Sequence, residues 1–426
     1  MQFFDSEYFT YKNNRLYCEG TDISEITGTV GTPVFIYSKK FFTDHYRKFA
    51  GAFSAIDHTI FYAVKSNYNL NVIKTFYDLG SGIDVNSAGE FYRAVKAGVD
   101  PKRMILTGVG KTRNEIKLGI ENEVQFIKAE SEQEIYLIDK IAGELGKVAP
   151  VAIRVNPDVD PETHPYISTG LAENKFGIDS KSAYGLFLKA SNLKNIKLTG
   201  IDMHIGSQIT SVEPYKEAVE KLAGMFRSLR DEGVELTHFD IGGGMGVKYK
   251  NEKPFTPREL AEAILPVLSD LDCKISFEPG RYLTANGGIL VTEVLYTKTN
   301  QKKNFIVVDA AMTDLLRPSI YGAYHHIQPV TLSDGGNDIV ADVVGPVCES
   351  GDFLAKGRTI SECKPQDQLA VFSAGAYAMV MSSNYNGRRR PPEIMVDGDK
   401  FYTIRSRETY EHLLFDEKIN KELFEN

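Results

Sequence analysis

The stretch TIFYAVKSN, residues 59–67, begins the pattern that decides the fold. Its first six residues are apolar or β-branched and carry no charge, which is typical of a buried strand, and Lys65 follows with a predicted turn at Ser66 and Asn67. A lysine at a strand end often extends its ammonium into water. Alternatively, Lys65 is partly desolvated, has a lowered pKa, and forms a Schiff base with an aldehyde. The stretch alone leaves both interpretations open.

Further strand-like runs follow this one, separated by amphipathic helical patterns. They are GIDV (82–85), RMILT (103–107), VQFIK (124–128), VAIRV (151–155), KLTGIDM (197–203), THFDI (237–241) and CKISFE (273–278). Eight strands that alternate with helices predict an α/β protein with a (β/α)8 TIM-like barrel. A doubly wound parallel sheet is the alternative, but its G-x-G-x-x-G fingerprint is missing.

The pattern changes near residue 288, after which strand-like runs come without long helices. These runs are ILVTEVLYTK, NFIVVDA, DIVADVVG, QLAVFS and KFYTIR, and they predict a second, antiparallel β domain. The N-terminal FTYKNNRLYCEG predicts a hairpin that joins this domain. The predicted division is therefore an N-terminal segment at 1–30, a barrel at 31–282 and a β domain at 283–426.

Bulk composition argues against several classes of protein. The chain has 426 residues and a net charge of −8, which disfavours a nucleic-acid or anionic-membrane partner. The N-terminus shows no signal-peptide pattern and no apolar run is long enough for a membrane span, so a cytoplasmic protein is predicted. The four cysteines lack C-x-x-C spacing, so neither a disulfide framework nor a metal site is predicted.

Polar groups follow many of the predicted strands, at the end where barrel enzymes carry their chemistry. We expect these groups to face one cavity, and they are Lys65, Asp84, Arg154, Asn156, His204, Gly242, Gly243, Gly244 and Glu278.

Three motifs at these strand ends indicate a particular cofactor. The glycines of DIGGGMG (240–246) either let backbone N–H groups converge on a phosphate or simply form a tight turn. DMHIGSQ (202–208) supplies a flat imidazole and a hydroxyl that can donate to phosphate, and FEPGR (277–281) supplies a carboxylate suited to a protonated ring nitrogen. An aldehyde trap, a phosphate nest and a partner for a pyridine together predict pyridoxal 5′-phosphate (PLP).

The motifs also carry a resemblance to a known family. YAVKSN, DVNSAGE, HPYISTGLAENKFGI, HIGSQI, DIGGGMG, EPGR, RPSIYGAYHHI, CESGDFLAKGR and GAYAMVMSSNYNGRRRPPE run from residue 62 to 393 in the family's order. The chain resembles the barrel-type, alanine racemase-like PLP-dependent decarboxylases, and most closely those that act on meso-diaminopimelate. This resemblance implies decarboxylation of meso-2,6-diaminopimelate to L-lysine and CO2, the last step of lysine biosynthesis.

The resemblance implies roles for individual residues around the cofactor. Lys65 is implied to hold the aldehyde as a Schiff base, and His204 to stack on the ring. Glu278 is implied to face the pyridine nitrogen, with Asp84 and Glu90 supporting the site. The further implied cofactor contacts, mainly with the phosphate, are Ser207, Gly242, Gly243, Gly244, Pro279, Gly280, Arg281 and Tyr377.

The resemblance also implies how substrate is held. The implied substrate contacts are Arg281, Arg317, Tyr321, Glu349 and Tyr377, with the two arginines and Tyr321 on the distal carboxylate. Cys348 is implied to act near the reacting carbon and Glu349 on the distal ammonium, both in the neighbouring subunit's site. A homodimer with shared active sites follows from that implication.

Other functions remain open alternatives from the sequence. A decarboxylase acting on lysine or ornithine is disfavoured, because a two-arginine clamp suits a second carboxylate. An amino-acid racemase would do better with a cation than with Glu278 opposite the ring nitrogen. A non-enzymatic PLP carrier would not need the β domain that carries CESGD. The prolines at 157, 161 and 165 predict a long ordered lid over 157–173.

Overall fold

The computed structural model describes residues 3–4, 6–160, 175–301, 303–333 and 337–424, so most of the predicted lid lies outside the described residues. The chain divides into two units. The barrel unit comprises Lys39–Gly287 and Gly375–Val380, and the β unit comprises Met1–Ser38, Gly288–Ala374 and Met381–Asn426. The domain boundaries proposed from sequence stay predictions.

The barrel unit contains eight parallel strands that close into a ring, which confirms the predicted TIM-like fold. Each strand pairs with its neighbour in the ring, and the eighth pairs with the first. In chain order the strands are His58–Ala63, Gly82–Val85, Met104–Leu106, Phe126–Ala129, Ala149–Asn156, Ile196–Asp202, His238–Asp240 and Lys274–Phe277. A short strand, Ile178–Asp179, is added to the fifth.

Helices follow the strands as the amphipathic patterns predict. The α-helices of this unit are Lys39–Ala52, Leu70–Asp78, Ala88–Lys96, Arg113–Glu121, Glu132–Glu144, Ser180–Ala190, Glu213–Asp231, Pro257–Leu268 and Arg281–Thr284. Short 3-10 turns occur at Val64–Ser66, Pro101–Arg103, Ser269–Leu271 and Ala285–Gly287. Thr112 and Thr256 each begin a helix with a reciprocal capping box, so the orphan N–H groups at these two helix starts find acceptors.

The barrel interior is apolar in one layer and charged in the next. Phe61, Ile105, Phe126 and Ala152 form a fully buried cluster inside the ring. Side chains alternate across a strand with a period of two, so Lys128 lies on the same face of the fourth strand as Phe126. The polar layer of the site therefore begins directly beyond the apolar one, toward the carboxyl ends of the strands.

The β unit contains a three-stranded antiparallel sheet that includes the predicted N-terminal hairpin, and a larger nine-stranded sheet. The small sheet consists of Phe9–Lys12, Arg15–Cys18 and Thr21–Asp22. The large one consists of Val34–Ser38, Gly288–Asn300, Lys303–Val308, Ile327–Pro329, Asp338–Val344, Phe353–Ser361, Gln368–Val371, Glu393–Asp397 and Lys400–Arg405. It is mainly antiparallel, as predicted, although two of its strand pairs are parallel.

The remaining helical segments of the described chain are short. They are Ile23–Val30, Arg317–Tyr321 and Tyr410–Leu413, with 3-10 turns at Met379–Met381, Tyr385–Gly387 and Lys421–Leu423. Across the described ranges, none of the helices combines the length and apolar character needed to cross a bilayer.

Candidate active site

Lys65 lies in the 3-10 turn after the first barrel strand, and its partner is the carboxylate that ends the second. Nζ of Lys65 is 3.4 Å from Oδ2 of Asp84, and the Thr107 hydroxyl donates to Oδ1 of Asp84 over 2.5 Å. Asp84 is fully buried, whereas the Lys65 side chain is 35% exposed. Lys65 is thus a reachable amine whose orientation is set by Asp84. Thr107, which holds Asp84 in place, was not identified from the sequence.

The charge state of Lys65 differs from the sequence-based prediction. Burial is the largest single influence and lowers the pKa of Lys65, but Asp84, Glu278 and Tyr377 together raise that pKa above its ordinary value. Of the two interpretations that the sequence left open, the one with a lowered pKa is wrong on that point, because it considered desolvation alone. Without a covalent partner, Lys65 is therefore an ammonium held by Asp84.

His204 follows the sixth strand and is held in its neutral form. Nδ1 accepts the backbone N–H of Gly243 over 3.1 Å, because that N–H can only donate. Burial, followed by the nearby cations Arg154, Lys65 and Lys128, keeps the pKa of His204 well below its usual value. The ring therefore carries its proton on Nε2 and presents an uncharged flat face, suited to stacking on an aromatic ring.

The glycines after the seventh strand form a loop with no room for side chains. Cβ atoms at Gly242, Gly243 and Gly244 would overlap the carbonyl oxygens of Met203, Glu278 and Gly206 respectively. Gly242 and Gly244 also have positive φ angles of 71° and 115°. The backbone is thus left bare toward the barrel mouth, as an anion nest requires.

Arg281, Ser207 and Tyr377, all predicted site residues, are brought together. The Arg281 guanidinium donates to the Ser207 hydroxyl over 2.9 Å and to the Tyr249 hydroxyl over 2.6 Å. It also lies over the Tyr377 ring, 4.7 Å from the centroid. The Tyr377 N–H donates to the Ser66 carbonyl over 2.9 Å, which links this group to the turn that holds Lys65. Tyr249 was not singled out in the sequence, where it follows the glycine loop without a motif.

The Glu-Pro-Gly segment packs against the first strand. The Pro279 carbonyl accepts the N–H of Ala63, and a Cβ at Gly280 would lie 3.0 Å from Cβ of Ser66. Glu90, on the third of the helices, accepts the N–H of Asn86 over 2.7 Å. Burial raises the pKa of Glu90.

Glu278 belongs to a buried charge cluster centred on Lys128, which the sequence did not indicate. Nζ of Lys128 lies 2.6 Å from Asp202 Oδ1 and 2.7 Å from Asp240 Oδ2, and it also contacts Glu278 Oε1. Burial raises the pKa of Asp202 and Asp240 to about 6 and that of Glu278 to about 7, while Lys128 opposes each increase. The only available signal was the lysine that ends the strand-like run VQFIK.

Arg154 and Asn156, at the end of the fifth strand, serve mainly to order their surroundings. Arg154 pairs with Glu130 over 3.2 Å, and Glu130 in turn accepts the N–H of Gly177 over 3.1 Å. The Asn156 side chain accepts the N–H of Asp158 over 2.9 Å. These contacts order Asp158 and Gly177, which lie close to the fifth strand.

Four predicted site residues belong to the β unit. Buried Arg317 donates to Nε2 of His325 over 2.9 Å, and Nδ1 of His325 donates to the Phe372 carbonyl over 2.8 Å. Tyr321 ends the short helix that Arg317 begins. The histidine is thereby held as the neutral tautomer that accepts from Arg317.

Cys348 and Glu349 lie exposed on a turn that hydrogen bonds of Asp352 and Ser319 hold in place. The Asp352 carboxylate accepts the N–H groups of Val347 and Met312, each over 2.6 Å. The Ser319 hydroxyl donates to the Gly351 carbonyl over 2.6 Å, which joins this turn to the Arg317–Tyr321 helix.

The barrel groups fit PLP in their chemistry. A reachable amine, a neutral flat imidazole, a bare glycine loop beside a hydroxyl, and a buried carboxylate lie on one ring of strand ends. Each matches one functional part of the cofactor, namely the aldehyde, the ring face, the phosphate and the ring nitrogen.

Comparison with known proteins gives consistent matches. Residues 40–285 match the family model described as pyridoxal-dependent decarboxylase, pyridoxal binding domain. A diaminopimelate decarboxylase of Aquifex aeolicus is 46% identical over 408 residues, which cover 96% of each chain.

Solved structures are similar over nearly the whole chain. Diaminopimelate decarboxylase from M. jannaschii in co-complex with L-lysine superposes with a TM-score of 0.93 at 34% identity, covering 98% of this chain and 99% of that one. The Helicobacter pylori enzyme complexed with L-lysine gives a TM-score of 0.89 at 41% identity, with 92% and 98% covered.

Proposed function

Because the chain belongs to the diaminopimelate decarboxylases within the pyridoxal-dependent decarboxylase family, we propose that it converts meso-2,6-diaminopimelate to L-lysine and CO2, the last step of lysine biosynthesis. The observation that carries this proposal is the ring of strand-end groups, in which Lys65, His204, the Gly242–Gly244 loop and Glu278 supply a partner for each part of PLP. A cytoplasmic location is part of the same proposal.

Lys65 would hold the cofactor, with Asp84 setting the position of its Nζ. When bound, PLP supplies an aldehyde that bonds to amines and a ring that accepts the electron pair left behind by CO2. Asp84 stabilises the ammonium form of Lys65, and so favours uptake of a proton by Nζ whenever the amine is released.

Ser207, the glycine loop, Pro279, Gly280 and Tyr377 would hold the phosphate. The bare backbone of the loop offers N–H groups, and Ser207 offers a hydroxyl that Arg281 already positions. Arg281 places a positive charge beside that hydroxyl, which favours a dianion there.

His204 and Glu278 would act on the ring. The neutral imidazole of His204 would cover one face of the ring and exclude water from it without placing a charge against the ring. The carboxylate of Glu278 would keep a proton on the ring nitrogen, and that proton would stabilise the negative charge that develops as CO2 departs.

The residues implied to contact substrate would hold its distal end and its reacting carbon. Arg281 and Arg317 carry fork-shaped cations suited to the distal carboxylate, and Tyr321 and Tyr377 would contact substrate as well. Glu349 would pair with the distal ammonium, and Sγ of Cys348 would deliver the proton to the reacting carbon. Cys348 and Glu349 would do so in the site of a second copy, which makes the enzyme a homodimer.

Substrate specificity is tested by supplying the PLP-loaded protein with meso-diaminopimelate, lysine and ornithine in separate assays of CO2 release. Release from meso-diaminopimelate alone is expected, because only that substrate has a distal carboxylate to pair with the arginines. Comparable rates on lysine or ornithine would contradict the proposed specificity, and no release from any of the three would contradict the decarboxylase itself.

Sharing of sites is tested by co-expressing a Lys65→Ala chain with a Cys348→Ala chain. Each chain alone is expected to be inactive. In a random mixture half of the dimers are hybrids with one intact site each, so about one quarter of the wild-type activity should return. Recovery of no activity in isolated hybrids would show that both residues act within one chain.

A further inference from the structure

A buried ammonium joins three carboxylates from different strands of the barrel. Lys128 contacts Asp202, Asp240 and Glu278, and all four residues are at most 4% exposed. An ammonium has three N–H donors, so the three carboxylates match its full donor set. The cluster is therefore a closed hydrogen-bonding unit around a single nitrogen.

The position of the cluster follows from strand geometry. Lys128 is two residues beyond Phe126, which packs in the apolar layer of the barrel interior. Asp202 and Asp240 are direct partners on adjacent strands. Glu278 follows the eighth strand immediately. The cluster thus lies directly beyond the apolar layer, at the carboxyl ends of the strands, where Lys65 and His204 also lie.

The carboxylates would repel one another without the ammonium. One oxygen atom from each carboxylate lies within 4.8 Å of the other two in the dry interior, where three like charges at such distances cannot all persist. Burial is the largest influence that raises the pKa of Glu278, and Lys128 is the largest that lowers it; Asp84 and Asp202 raise it further, and Lys65 lowers it. Lys128 is thus the chief reason that Glu278 can be ionised near neutral pH.

We propose that Lys128 is a positioning residue that keeps Glu278 ionised and directed at the ring nitrogen of the cofactor. Lys128 acts on the cofactor only through Glu278. Its contacts with Asp202 and Asp240 hold the ammonium in the position from which it reaches Glu278. The inference rests on the proposed function, because it requires that Glu278 face PLP. It adds a residue for which no cofactor contact was predicted.

The test isolates the effect of Lys128 by neutralising its other two partners. Two full-length proteins supplied with PLP are compared. Both carry Asp202→Asn and Asp240→Asn; one retains Lys128 and the other also carries Lys128→Met. The background lacks the competing carboxylates, so both versions avoid a buried surplus of negative charge and are expected to fold, which circular dichroism checks. Lys128→Met in the native background is measured in parallel.

The first measurement is the infrared C=O band of a protonated carboxylic acid at about pH 8, above the ordinary range for a carboxyl. No band from Glu278 is expected with Lys128 present. One band is expected with Lys128→Met, and further replacement Glu278→Gln should remove it. A folded Lys128→Met protein without the band, or a band that survives Glu278→Gln, would overturn the proposal.

The second measurement is nitrogen NMR of PLP isotopically labelled at its ring nitrogen. The signal should be that of a protonated nitrogen with Lys128 present and should move to that of an unprotonated pyridine with Lys128→Met. A signal unchanged by Lys128→Met would refute the link between Lys128 and the ring. Lys221→Met is the matched control, because that lysine donates to the Pro157 carbonyl rather than to a carboxylate, and neither signal should change.

These outcomes separate the inference from the proposed function. Wild-type protein that releases no CO2 from meso-diaminopimelate would overturn the function, whatever the two spectra show. If the wild-type protein is active but Lys128→Met changes neither spectrum, only the proposed role of Lys128 is overturned.

Discussion

The backbone N–H of Gly243 donates to Nδ1 of His204 over 3.1 Å, so the glycine loop and the imidazole form one unit. The loop cannot shift without losing this bond, and the ring cannot gain a proton on Nδ1 while the bond persists. A phosphate held by the loop and a ring covered by the imidazole would therefore keep a fixed separation. This coupling makes the glycine positions sensitive to even one added methyl group.

Gly243→Ala should weaken PLP binding, because its Cβ would overlap the Glu278 carbonyl and push the loop away from His204. We expect the dissociation constant of PLP, measured by fluorescence titration, to rise at least tenfold, corresponding to about 1.4 kcal/mol. The matched control is Gly110→Ala, since a Cβ there would meet no atom within 4 Å. Equal affinities in the two variants would show that the bare backbone is not required.

Lys65 should be the amine that bonds to PLP. It is 35% exposed, whereas the side chain of Lys111 is 1% exposed and that of Lys128 is fully buried. Borohydride reduction of the loaded protein should add one cofactor mass to the peptide that contains Lys65. Lys65→Ala should abolish the added mass, and Lys111→Ala should retain it. Labelling of the Lys65→Ala protein at an equal level would disprove the assignment.

Asp314 should make the β unit less stable as pH rises. Burial raises the pKa of this carboxyl to about 7, so the folded state keeps its proton over a range in which the unfolded state, with a pKa of about 4, releases it. The free energy of unfolding therefore falls as pH rises from about 4 to about 7. Asp314→Asn removes this dependence.

We expect the stability gained by Asp314→Asn to be roughly 2–3 kcal/mol larger at about pH 8 than at about pH 5, measured by urea unfolding. Exposed Asp416→Asn serves as the control and should show no such difference. A gain for Asp314→Asn that is the same at both pH values would mean that Asp314 is ionised in the folded protein.

His325 should set the orientation of Arg317. Its Nε2 accepts from the guanidinium over 2.9 Å, and His325→Phe would leave that buried N–H without this acceptor. The loss of one such bond is about 1–2 kcal/mol, so we expect KM for meso-diaminopimelate to rise about tenfold, with a smaller change in kcat. His412→Ala changes an exposed histidine of the same unit and should leave KM unaltered. An unchanged KM in His325→Phe would show either that Arg317 does not bind substrate or that His325 does not orient Arg317.

Much of the molecule was predictable from sequence because its signals are local. Strands of alternating βα units are short apolar runs bounded by turns, and all eight were found within a few residues of their true ends. The glycine loop, His204 and Glu278 were recognisable because each directly follows such a run. The family motifs then led to PLP, and the comparisons confirm the family, the enzyme class and the cofactor. The shared site and the individual residue roles stay predictions.

What the sequence determined, then, was the order of strands and the end of each strand at which polar groups lie. Tertiary structure alone decided which of those groups meet across the ring. Lys128 and Glu278 are 150 positions apart in the chain, yet closure of the barrel brings them into contact. The parallel register sets Ala63 opposite Asp84, which places a carboxylate near Lys65 and reverses the pKa shift that burial alone would cause. The physical reason is that electrostatic energy depends on distance through the fold, and no periodicity along the chain encodes that distance.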